Sequence, residues 1–172
     1  MRIAPIAPGT RPELAQQEER ILAARGRISP LYQVLLNSPP IADGWEQMLS
    51  AVRNRSSLPA DVRELVILRV AVLNRAPYEF EAHVPHARAA GASEALIEAM
   101  REVPLADGAP LDESQRVAVR LADAMTRDIE VPDALYEQVR ACFGEQMQLD
   151  LVATIAAYNM VSRLLVALHI GH

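Results

Sequence analysis

Two glutamates and two histidines crowd into the twelve residues RAPYEFEAHVPH, positions 75–86. On a helix Glu79 and His83 stand four apart, so their side chains share a face. His86 lies three further on, near that face, and Glu81 points elsewhere. A carboxylate beside an imidazole raises its proton affinity and orients its ring. His83 then suits proton donation or acceptance near neutral pH, with Glu79 as its orienting partner. Pro85 lacks the N–H that would bond the carbonyl of Glu81, so the helical ladder opens beside these groups and a kink is expected.

Two other readings fit the same residues. One is a solvated helix face carrying a weak Glu79–His83 pair. The other is a metal site built from Glu79, His83 and His86, although the opening at Pro85 separates the two histidines and no further Cys or acid cluster stands alongside. Glu64 joins the candidates from the preceding helix. Its neighbours Leu65–Leu68 must be buried, which makes it either a first-turn carboxylate reaching water or a partly buried acid relaying protons to the next helix.

These residues need helices to hold them, and the sequence supplies helices throughout. SSLPADVRELVILRVAVLNRA, 56–76, gives the strongest signal, with Pro59 near its first turn and Asp61 and Glu64 behind it. Pro77 opens the next helix and Gly91 ends it. Upstream, helix formers run from Glu13 to Arg25. A short helix follows between a Ser29 cap and a Pro39-Pro40 stop, and 41–53 is amphipathic around Trp45, Met48, Leu49 and Val52. Downstream, Ser93 caps a short helix. Further helices are expected over 112–127, from Pro132 to Gly144, and from Gln146 to His169. No period-two strand pattern is present. Residues 1–12, with three prolines, form an extended arm, either disordered or draped over a neighbouring subunit.

An echo runs through the chain. Glu64–His83 and Asp150–His169 share one offset, each an apolar stretch with an acid at its start and a His at its end. An Asn falls inside each, Asn74 and Asn159, one residue out of step. Chance and a duplicated helical hairpin both account for this.

Composition bounds the function. At 172 residues one domain is expected, 51% hydrophobic but only 4% aromatic, with a mean hydropathy of +0.05 that suggests surface buried between subunits. The net charge of −5 and the lack of a basic stripe argue against nucleic acid. All 17 basic residues are Arg, which excludes a Schiff-base lysine. A single cysteine, Cys142, cannot form an intrachain disulfide. The start lacks the apolar segment of a signal peptide, and the greasy stretch 149–170 is interrupted by Asp150, Asn159 and Arg163. A cytoplasmic location with no membrane partner is expected.

SLPADVRELVILRVAVLNRAPYEFEAHVPHARAAG resembles the core of the carboxymuconolactone decarboxylase family, which shares its fold with alkylhydroperoxidase AhpD. The likeness covers about residues 41–102, including Gly44-Trp45. It implies an all-α, AhpD-like helical bundle over 41–172, with 1–40 as an N-terminal extension, and homo-oligomers, commonly trimers or hexamers. The peroxidase branch uses a Glu, a CxxC pair and a His as a proton relay. Glu64 and His83 match the Glu and His, while the two cysteine positions fall on Ala76 and Glu79. The dithiol is therefore missing.

The decarboxylase branch keeps a Glu four residues before the His, as Glu79 and His83 do. Its reaction converts 4-carboxymuconolactone to an enol-lactone of 3-oxoadipate, releasing carbon dioxide without a cofactor. The resemblance thus implies His83 as proton donor, Glu79 as its partner, Glu64 as relay acid, no cofactor and no metal. Arg69 and Arg75 are the nearest forks for a small carboxylate or lactone substrate. The alternatives are an AhpD-like redox protein, using Cys142 or inactive, and a non-catalytic oligomeric binding scaffold.

Overall fold

A computed structural model describes residues 1–171. Among them nine α-helices and no strand are found: α1 (Ala15–Arg25), α2 (Pro30–Leu35), α3 (Pro39–Ser50), α4 (Ala60–Leu73), α5 (Pro77–Ala89), α6 (Glu94–Ala99), α7 (Glu113–Arg127), α8 (Asp133–Cys142) and α9 (Glu145–Leu168). A 3-10 turn (Pro12–Leu14) precedes α1, and a π-helical turn (Ala51–Arg55) follows α3. The chain forms two compact units, one of Met1–Arg55 with the chain from Leu165, the other of Ser56–Leu164.

In the first unit the proline-rich arm lies on its own chain. The Ile6 N–H donates to the Gln33 carbonyl at 2.9 Å, the Arg2 N–H to the Leu168 carbonyl at 2.8 Å, and Ile6 is buried. Backbone donors that no regular element uses find acceptors here, so these parts of the arm are tied to their own chain. Pro39 and Pro40 start α3 rather than only stopping α2. Proline at the first helical position loses no bond and already has helical φ.

The second unit is built around α4. From Glu64 to Ala71 every residue of α4 is buried, because its apolar side chains point all round the helix. Leu65, Leu68 and Ala71 join Phe80, Val84 and Ala87 of α5, and Leu96, Ile97 and Met100 of the α6 region, in one core cluster. The α4–α5 link is tight. The Ala76 N–H donates to the Ala71 carbonyl at 2.8 Å, and Arg75 takes a left-handed φ of 56°. α5 runs through Pro85 as one helix and stops where Gly91, at φ 94°, takes the left-handed turn. Ser93 caps α6, and Asp112 with Gln115 forms a capping box on α7.

The echoed segments take different shapes. Residues 64–83 fold as two helices, whereas 150–168 lie in the single helix α9. Their asparagines nevertheless meet. Asn74 Nδ2 donates to Asn159 Oδ1 at 2.9 Å and to Ser162 Oγ at 2.7 Å, and Asn159 Nδ2 donates to Thr126 Oγ1 at 2.9 Å. This network pins the end of α4 to α9 and α7 and gives partners to the buried side chains of Asn159 and Ser162. By length and composition α9 is apolar enough to cross a membrane. Half of its most apolar window is buried inside the protein, as in a core helix.

Candidate active site

Glu64 and His83 are 19 residues apart and hydrogen-bonded. The α4–α5 hairpin brings Glu64 Oε2 to 2.7 Å from His83 Nδ1. Both are enclosed, with Glu64 2% exposed and His83 6%. A carboxylate on Nδ1 fixes the tautomer with its proton there and leaves the lone pair of the neutral ring on Nε2. It also favours the imidazolium when Nε2 takes a proton. The Tyr158 ring of α9 meets the imidazole edge-on, with centroids 5.0 Å apart. Arg63 Nε donates to the other Glu64 oxygen, Oε1, at 3.2 Å. Glu64 is thus held from two sides, and His83 is positioned by an acid and an aromatic edge.

Glu79 stands differently from its expected role. It is 2% exposed, and neither carboxyl oxygen has a hydrogen-bond partner among the described residues. It shares a helical face with His83, but the acid that bonds the imidazole is Glu64. Across the hairpin Glu64 reaches Nδ1 directly, so Glu79 is not the orienting group. Burial pushes the Glu79 carboxyl well above its usual range.

Arg69 is corrected outright. It is 0% exposed, and every nitrogen of its guanidinium donates a hydrogen bond. Nη2 donates to Asp123 Oδ2 at 2.8 Å, Nε to Asp123 Oδ1, and Nη1 to the carbonyls of Met100 (3.1 Å) and Glu102. It staples α4 to α7 and to the end of α6 and offers no fork to a substrate. Arg75 is exposed on the turn between α4 and α5. Glu81 is exposed and paired with Arg101 at 2.9 Å, the solvated side of α5. The His86 ring lies 5.5 Å from that of His83, tilted by 51°. Among the described residues no three His, Cys, Asp or Glu side chains group as metal ligands, so Glu79, His83 and His86 do not form such a set. Arg63 and Tyr158 carry part of the site and escaped the sequence reading. Arg63 is adjacent to Glu64, and Tyr158 is a rare aromatic inside an apolar helix.

Cys142 ends α8. Burial, helped by the carboxylates of Glu113 and Asp112, pushes its thiol above the ordinary range. That is the opposite of what a nucleophilic thiolate needs.

Comparison with known proteins adds lineage to this geometry. The sequence model of the carboxymuconolactone decarboxylase family matches residues 39–124, half of the chain. The uncharacterized protein YdfG of Bacillus subtilis (strain 168) is 29% identical over 116 residues, covering 66% of this chain and 78% of YdfG. A peroxidase-related protein from Ralstonia eutropha JMP134, described as an alkylhydroperoxidase AhpD core, is similar with TM-score 0.81 and 18% identity, over 96% of this chain and 88% of that one. The debrominase Bmp8 is similar with TM-score 0.79 and 14% identity, over 97% of this chain and 89% of its own. At these identities the structural likeness is one of fold alone.

Proposed function

Because this chain belongs to the carboxymuconolactone decarboxylase family, we propose that it is a cofactor-free acid–base enzyme acting on a small lactone-type acid by decarboxylation or isomerisation. The observation that carries this reading is the buried 2.7 Å contact between Glu64 and His83, formed where Ala76 and Glu79 occupy the positions of the peroxidase dithiol.

In this scheme a substrate carboxylate leaves as carbon dioxide. The electron pair of the broken C–C bond spreads through the conjugated ring to the lactone carbonyl. His83, protonated and held by Glu64, returns a proton to carbon, and solvent restores the imidazolium. The charge on Glu64 stabilises that imidazolium, and general acid–base help from one group is worth roughly a hundred- to ten-thousand-fold in rate. The environment of Cys142 weakens the redox alternative. A binding scaffold has no need of a buried acid–imidazole pair.

The test is turnover. Purified protein is given 4-carboxymuconolactone and a set of related lactone acids, and carbon dioxide release is followed. In parallel, peroxide reduction is measured with a dithiol reductant. Lactone turnover without peroxidase activity supports the proposal, and the reverse rejects it.

A further inference from the structure

Glu79 is a buried acid that the scheme above leaves without work. Both of its oxygens are enclosed and have no hydrogen-bond partner among the described residues, and it sits one helical turn before His83 on the same face of α5. Leaving such a group unpartnered costs about 1–3 kcal/mol, so a merely structural residue would do better as Gln with partners or as an apolar side chain. The cations of the neighbouring helix do not serve it. Arg63 donates to Glu64, and Arg69 points its guanidinium at Asp123 and two carbonyls.

We propose that the Glu79 carboxyl is a hydrogen-bond donor to the substrate carbonyl oxygen on which negative charge develops as carbon dioxide leaves. This rests on the lactone reading and deepens it by naming what holds the charge. Burial raises the carboxyl's affinity for its proton, which favours an O–H over a repelling carboxylate at this position. A carboxylic acid held neutral in a dry site donates to an oxyanion more strongly than water does, and the cost of organising it is met in the folded protein. The division of labour is then complete. Glu79 stabilises the ring oxyanion without giving up its proton, His83 delivers the proton to carbon, and Glu64 holds His83. The required substrate feature also follows. The departing carboxylate must be conjugated with a carbonyl that can reach Glu79.

Two measurements on the full chain test this. Infrared difference spectra of wild type against Glu79→Gln, with labelled glutamate, should show a protonated carboxyl band at neutral pH that the variant lacks. Tetronate, the ring enolate of a hydroxylactone, serves as the oxyanion probe. Its binding should shift that band. Glu79→Ala should bind it roughly tenfold or more weakly, and Glu79→Gln, which keeps a donor of similar shape, should lose less. Where turnover is measurable, Glu79→Ala should lower kcat on the order of a hundred- to a thousand-fold. An ionised Glu79 at neutral pH in a protein that binds tetronate overturns the donor role alone. So does tetronate affinity unchanged in Glu79→Ala. A wild type that keeps the acid band yet binds no tetronate contradicts the lactone reading and the donor role together.

Discussion

Glu64 of α4 and His83 of α5 share a 2.7 Å hydrogen bond inside the protein, across a three-residue turn whose Arg75 has a left-handed φ. The pair depends on the hairpin. If the link were longer or looser, the carboxylate and the imidazole would drift apart, and His83 would lose both its tautomer and its aim.

Glu79 sets a pH dependence of stability. Its folded-state pKa lies above the unfolded value, so the native state holds a proton that the unfolded chain releases. The penalty is absent below the unfolded carboxyl range and grows as pH rises from there towards the folded value. Glu79→Gln should therefore be more stable than wild type at neutral pH and lose that advantage near pH 4, about the unperturbed Glu range. Urea melts at the two pH values decide it. An equal difference at both would show that Glu79 is not held protonated.

Arg69 is structural. Arg69→Met removes a buried cation from Asp123 and from two carbonyls, and should cost about 3 kcal/mol or more in denaturant unfolding. Were Arg69→Met to leave stability unchanged while raising KM, the residue would be a substrate fork after all.

Cys142 should be dispensable. Cys142→Ser is expected to leave turnover within about twofold of wild type, and the thiol to alkylate slowly at neutral pH because it stays protonated. Loss of activity in Cys142→Ser would move the chemistry to sulfur.

A homo-oligomer is also proposed. Leu149, Ala156 and Met160 lie exposed on α9, and Ile129 is exposed after α7. Apolar side chains gathered on one helix in this way favour association between copies. Light scattering at micromolar concentration should give a mass above the 18.9 kDa of one chain, and Leu149→Glu with Met160→Glu should lower it. A monomer in the wild type would contradict this.

The helices were legible because apolar spacing, prolines at first turns and caps at Ser93 and Asp112 are local signals. Which acid takes the imidazole was not legible from spacing. The helical period puts Glu79 beside His83, but the closer approach comes from a helix 19 residues back, through a turn whose angle no local rule gives. Arg69 looked available because its acceptors, Met100, Glu102 and Asp123, lie 31 to 54 residues away. The two asparagines of the echo meet in the fold, Asn74 to Asn159, a contact that spacing along the chain does not give. The arm's anchorage, through backbone donors to Gln33 and Leu168, leaves no trace in side-chain type.

The most direct test of the central claim is carbon dioxide release from 4-carboxymuconolactone by wild type, His83→Ala and Glu64→Gln, with circular dichroism to show that each is folded. An acid–base pair predicts turnover by the wild type and a loss of roughly a hundred- to ten-thousand-fold in folded His83→Ala. Glu64→Gln should fall in kcat more than in KM. Wild-type turnover that survives intact in His83→Ala would contradict the account.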